Sequence, residues 1–205
     1  MDMIEMERRI LQEYWRYYIH LEDLLIRTVD FVALTRDNFA TYSNQYASIL
    51  QLTGAELDAF FKYYVDPKGR CITDYTKCFI EKYSNLIRQE VKIIDSDILL
   101  MPFEKCEDVL QNKPIFWWKA FTNIKHNRIE KFSEANLSNC LNALAALYML
   151  ECQCVRDIAK IDGSIDILEP ISRLFCLKDW NCNYIPSSKQ YIVLSRNISV
   201  DGKTE

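Results

Sequence analysis

Apolar residues recur at helical spacing along most of the chain. Between residues 4 and 34, Ile10, Tyr14, Tyr17, Leu21, Leu24, Leu25 and Thr28 fall near one stripe. The charged residues Glu13, Arg16, Glu22, Asp23 and Arg27 mostly avoid it, which predicts a long amphipathic first helix. A break rich in Thr, Asp, Asn and Ser follows at TRDNFATYS. Ser43 then sits where an N-cap belongs, opening a short helix through Leu52. TGAE, residues 53–56, has capping-box spacing: the Thr53 hydroxyl can accept from the Glu56 amide while the Glu56 carboxylate accepts from the Thr53 amide. A separate helix to about Tyr64 is expected from there, closed by DPKGR.

Another helix is expected from Thr73 or Asp74 to about Arg88. EVKIIDSDILLMPF changes the pattern, with β-branched and aliphatic residues around a polar Asp-Ser-Asp; it reads as a short strand pair or an extended wrap. Pro102 and Pro114 bracket a connection. WWKAFTNIKHNR, residues 117–128, reads as a helix, and SEANLSNCLNALAALYMLECQCVRDIAK as a long one with Ser133 as N-cap. Its run Leu137, Leu141, Leu144, Ala145, Tyr148 and Cys152 is too evenly apolar for a surface helix and predicts a central position. The tail from Gly163 has weak helical content around PISRLFCL and one strand-like piece, QYIVL. The expected fold is all-α: a helical domain over 1–160 with an irregular C-terminal appendage over 161–205.

Composition narrows the function classes. With 205 residues, 49% hydrophobic, 13% aromatic and four glycines, the chain reads as one globular domain with a sizeable core. A net charge of -4 argues against broad coating of nucleic acid, whose affinity comes from Lys and Arg displacing counterions, so no DNA partner is expected. A small basic pocket is compatible with it. The start MDMIEMERRILQEYW lacks an apolar signal-peptide core, and the longest apolar run, LNALAALYMLECQCV, is short and interrupted by Glu151. A cytoplasmic protein with no membrane contact is therefore expected. Its eight cysteines show no CxxC pair and no histidine at zinc-finger distance, which predicts buried free thiols, no metal and no cofactor.

Candidate chemistry concentrates in residues 117–128. At 3.6 residues per turn, Trp117, Ala120, Phe121 and Ile124 share one face, with Trp118 at its edge; Lys119, Thr122, Asn123 and His126 share the opposite one. Lys125 flanks that row, and Arg128 falls back toward the apolar side or past the helix end. Such a row suits a phosphodiester: His126 to move a proton near neutral pH, Lys119 to stabilise phosphate charge, Asn123 to orient the imidazole or a ligand. A purely structural role is equally physical, because basic residues are favoured at a helix C-terminus. His20, in YYIHLED, reads as a partly buried histidine bonded within the bundle. Glu56 and Asp58, two apart, point to different sides of a helix and do not form a carboxylate pair.

The segments DFVALTRDNFATYSNQYASILQLTGAELDAFFKYY, CITDYTKCF, LLMPF and PIFWWKAFTNIKHNRIEKFSEANLSNCLNALAALYML together resemble a group of bacterial proteins related to the HEPN (higher eukaryotes and prokaryotes nucleotide-binding) superfamily. The resemblance spans roughly residues 10 to 155 and is most specific at WW…IKHNR. It implies an up-and-down helical bundle, a homodimer, and RNA or a nucleotide as partner. In active members an arginine, four to six further residues and a histidine form a metal-independent ribonuclease site. There a ribose 2′-hydroxyl attacks the adjacent phosphate, often in a toxin or antiphage setting. His126 matches the histidine; the positions four to six intervening residues back hold Phe121, Ala120 and Lys119, so Lys119 stands where a cation is needed and no arginine does. Lysine lacks the bidentate fork of arginine. The resemblance thus leaves two readings open, an RNA-acting protein and a degenerate, non-enzymatic homodimeric module.

Overall fold

The computed structural model describes residues 3–111, 113–162 and 168–177, together with the backbone of 180–185 and 190–195. The described residues are mostly helical. α1 (Met3–Ile26), α2 (Asn44–Phe60), α3 (Ile72–Lys82), α4 (Phe116–Asn127) and α5 (Leu137–Asp162) pack beside a small antiparallel sheet.

α5 is the central element: every residue from 141 to 155 is buried, as its evenly apolar sequence predicts. Its N-cap is Asn136 rather than Ser133. Asn136 Oδ1 accepts from the Asn139 amide at 3.0 Å, while Ser133 belongs to a preceding 3-10 turn, Phe132–Glu134. Both residue types cap well; tertiary structure chooses between them. Backbone bonds from Leu137 N to Thr41 O (3.0 Å) and from Ser138 N to Phe39 O (3.1 Å) fix where α5 begins.

The same bonds bring the starts of α2 and α5 together, and the two helices run side by side in the same direction. Ser43 caps α2 as expected, its Oγ accepting from Tyr46 N at 3.1 Å. α2 does not stop at Leu52, however. It passes through TGAE without interruption and ends in a π-helical turn, Phe61–Val65. Thr53 and Gly54 lie buried in mid-helix, so no capping box forms. Gly54 has a packing reason: a Cβ there would sit 2.3 Å from Phe121 Cδ2, so α4 crosses α2 at a contact only glycine allows.

α1 turns a face toward the core that is shifted from the expected stripe. The buried positions are Leu11, Trp15, Tyr18, Leu21, Glu22 and Leu25, with Thr28 in the 3-10 turn that follows (Arg27–Asp30), whereas Tyr14, Tyr17 and Leu24 are only half buried. Glu22, expected to face solvent, is 0% exposed. It accepts from Tyr18 Oη (2.8 Å), from Ser172 Oγ, and from the amides of Arg173 (2.9 Å) and Leu174 (3.4 Å). Asp23 pairs with Arg173, Trp15 Nε1 donates to Pro170 O at 2.8 Å, and Gln12 Nε2 donates to Glu169 O at 2.9 Å. One helix stripe thereby holds residues 169–174, a part of the tail expected to be irregular.

That tail also supplies strands. β1 (Val91–Ile93) pairs antiparallel with β2 (Leu99–Leu100), the short strand pair suggested by EVKIIDSDILLMPF. On its other edge β1 pairs with β3 (Phe175–Leu177), followed by β4 (Trp180–Ile185) and β5 (Gln190–Ser195), in the order β2-β1-β3-β4-β5. β5 contains QYIVL. Among the described residues no helix is long and apolar enough to cross a membrane, and no described cysteine is in a disulfide.

Candidate functional site

α4 is anchored by the face its periodicity marks as apolar. Trp117, Trp118, Ala120, Phe121 and Ile124 are buried. Trp117 Nε1 donates to Pro102 O at 2.7 Å, and Trp118 meets Phe61 edge-on at 6.2 Å. Gln51 Nε2 lies 3.5 Å from Ile124 O, so α2 follows α4 from Gly54 back to its own N-terminus. The outward row is as expected: Lys119 and His126 are exposed, Thr122 and Asn123 half buried.

The members of that row do not converge. Thr122 Oγ1 donates to Trp118 O at 3.0 Å within the helix. Asn123 Nδ2 donates to Glu134 Oε2 at 2.8 Å, so its amide is set against a carboxylate and not against the imidazole. Among the described residues no hydrogen bond or ion pair joins His126 to Lys119 or Asn123. Lys119 and His126 are about two helical turns apart, roughly 10 Å along the axis. Lys125 places its ammonium 5.8 Å from the Phe121 ring centroid.

Arg128 follows the last residue of α4 and is turned toward α2. Its guanidinium donates to Asn44 Oδ1 at 2.5 Å and lies 5.8 Å from the Phe132 ring centroid. With Ile129, 94% exposed, these residues line an open groove of ≈ 410 Å³. The outward side of α4 and the turn after it therefore form a basic surface, Lys119, Lys125, His126, Arg128 and Lys131. Two acids interrupt it: Glu134 on Asn123, and Glu130, which accepts from Asn127 Nδ2 at 2.7 Å. It offers an anion several cations and one imidazole. Among the described residues it holds no hydrogen-bonded nucleophile–base pair around His126.

His20 is exposed, its ring 5.9 Å from Tyr17, and is not a buried bundle histidine. Glu56 and Asp58 are separate, as their spacing requires, but Glu56 has a partner the sequence does not reveal. It faces Glu151, which is 0% exposed and has no hydrogen-bond partner on either carboxylate oxygen. Burial first, and then the Glu56 charge, hold the Glu151 carboxyl well above the ordinary range; burial raises Glu56 as well. Tyr14, stacked on Tyr63 at 5.3 Å, completes the cluster. A carboxyl kept neutral is chemically available for proton exchange, though Glu151 is closed to solvent. The buried thiols are inert by comparison: burial pushes Cys106 up to about 11 and Cys154 up to about 12. Among the described residues no cluster of three or more His, Cys, Asp or Glu side chains is arranged to hold a metal ion.

Compared with protein-family models, with curated proteins and with solved structures, the chain finds no match. What the site can do therefore rests on its own geometry.

Proposed function

We propose that this chain is a HEPN-like helical protein that binds RNA through the outward surface of α4. Lys119 and Lys125 contact phosphates, and His126 is placed for proton transfer to a bound strand. The observation that carries this reading is the joint exposure of Lys119, Lys125 and His126 on a helix whose other face is locked into the core. Phosphate contact needs only exposed cations on a rigid support, which α4 supplies. Cleavage needs a cation held on the scissile phosphate beside the imidazole; among the described residues no hydrogen bond or ion pair fixes Lys119, Lys125 or Arg128 against His126, and a second copy is the natural source of such a constraint.

The test is anisotropy of a labelled single-stranded RNA at about 50 and 200 mM salt, alongside a cleavage assay. Lys119→Ala/Lys125→Ala is expected to weaken binding and to reduce the log–log salt slope by about 1.4, two contacts at about 0.7 each. His126→Ala is expected to keep binding and remove any cleavage. Unchanged binding in the double lysine variant, or equal cleavage by His126→Ala, overturns the proposal.

A second reading, a non-enzymatic homodimeric module, is favoured by one observation. Asn123 and Arg128 use their polar groups to tie α4 to Glu134 and Asn44. It predicts no RNA binding, and a loss of dimer in sedimentation velocity on Ile129→Asp.

A further inference from the structure

A second cavity lies where α1 ends and α2 begins. Its volume is ≈ 500 Å³, and it is lined by Leu24, Arg27, Thr28, Phe31, Val32, Ser43, Gln45 and Tyr46. That size falls within the range of small-molecule sites, about 300–1,000 Å³. The walls are chiefly apolar. Phe31, at the lip, is 88% exposed, a large aromatic ring left in water beside a hollow.

The polar groups around it share one sign. Arg27 is exposed, takes part in no ion pair or hydrogen bond among the described residues, and stands one helical turn from Leu24 on the cavity side. Ser43 and Gln45 belong to the N-terminus of the 17-residue α2, the positive end of its dipole. No acidic residue contributes to the lining. Tyr46 closes the floor of the cavity: it is 1% exposed, and its hydroxyl lies against the Thr28 hydroxyl, which itself donates to Leu25 O at 2.7 Å.

We infer that this cavity binds a small amphipathic anion, a carboxylate with an unbranched apolar body of medium-chain fatty-acid type. The chain lies against Leu24, Phe31 and Val32, and the carboxylate meets Arg27 at the N-terminus of α2. The site is independent of the RNA surface on α4. Apolar burial supplies affinity, and the single unpaired guanidinium selects the charged head.

The full-length chain is titrated by calorimetry with decanoate, 1-decanol and acetate. Decanoate is expected to bind saturably at one equivalent, 1-decanol about tenfold more weakly, and acetate not at all. Arg27→Gln is expected to weaken decanoate about tenfold and leave 1-decanol unchanged. Val32→Trp, checked for folding by thermal unfolding, should fill the hollow and abolish both. Absence of saturable decanoate binding overturns the inference, as does equal decanoate affinity in Arg27→Gln. So does a concentration-dependent dimer that Val32→Trp disrupts while decanoate does not bind, because a second copy then occupies the groove.

Discussion

Replacing Gly54 by alanine tests the crossing on which the placement of α4 depends. In an exposed mid-helix position this change stabilises by about 0.5–1 kcal/mol, because glycine loses the most backbone freedom on folding. Here the new Cβ would stand 2.3 Å from Phe121 Cδ2, 2.4 Å from Cγ and 2.7 Å from Cε2. Carbon atoms settle at about 3.5–4.0 Å, so the ring must retreat by roughly 1 Å or more. It has little room: Phe121 is 7% exposed, and Trp118 packs against it edge-on at 5.4 Å. Overpacking of this kind costs about 1–3 kcal/mol, which exceeds the propensity gain. The expected net loss is about 1–2 kcal/mol, or about 2–8 °C in Tm for a chain of this length.

Denaturant and thermal unfolding of four proteins settle the cause: the parent, Gly54→Ala, Phe121→Ala and the double variant. Phe121→Ala alone should cost about 3–5 kcal/mol. With the ring gone, Gly54→Ala should turn stabilising by about its propensity gain, giving a coupling energy of about 1.5–3 kcal/mol across the contact. A stabilised Gly54→Ala single variant, or the same loss with and without the Phe121 ring, would refute the assignment of Gly54 to helix crossing.

Other sites give sharper signs than sizes. Glu151→Met should stabilise by about 1–3 kcal/mol at pH 8, because it removes a buried group with no partner. The Glu151 carboxyl is raised in the folded state, so its contribution is fully present below the ordinary carboxyl range and is lost as pH rises above it. The parent should therefore lose stability as pH rises above the ordinary carboxyl range where Glu151→Met does not, and parallel Tm–pH curves would sink the assignment. Glu22→Ala strips four donors of their acceptor and should cost at least about 3 kcal/mol; hydrogen exchange over residues 172–174 should rise before the global transition. Asn136→Ala should cost about 1 kcal/mol in chemical denaturation and Ser133→Ala close to nothing; the reverse order would restore Ser133 as the cap.

The contrast between Glu22 and α5 shows what local pattern can carry. α5 is legible because it is buried on every side, and a run of Leu, Ala and Cys has no other stable place. The two faces of α4 are legible for a related reason: anchor and polar row repeat within one helix and need no knowledge of neighbours. Glu22 is illegible by the same rule. A carboxylate among Leu21, Leu24 and Leu25 reads as a surface charge, because the donors that permit its burial, Ser172, Arg173 and Leu174, lie about 150 residues away. Misplacing it rotates the inferred stripe of α1 from Leu11, Trp15, Tyr18 and Leu25 toward Tyr14 and Tyr17. TGAE fails in the opposite way. Its local capping signal is genuine, but Thr53 and Gly54 are enclosed within the core, and continuous helix there lets Phe121 lie on bare backbone.

The candidate site follows the same division. Exposure of Lys119 and His126 depends on helix phase alone, and the sequence supplies it. Whether the polar row acts as one unit depends on Glu134 and Asn44, which reach α4 from a neighbouring turn and from another helix. By bonding to Asn123, Glu134 sets a carboxylate in the middle of a row otherwise suited to phosphate. In the proposed RNA complex, the Glu134 carboxylate repels a strand that crosses Asn123 on its way between Lys119 and His126. Glu134→Gln isolates that effect, because it removes the charge and keeps a hydrogen-bonding partner for Asn123. It should tighten RNA binding with no change in fold stability, whereas an unchanged affinity would mean that the strand never passes Asn123.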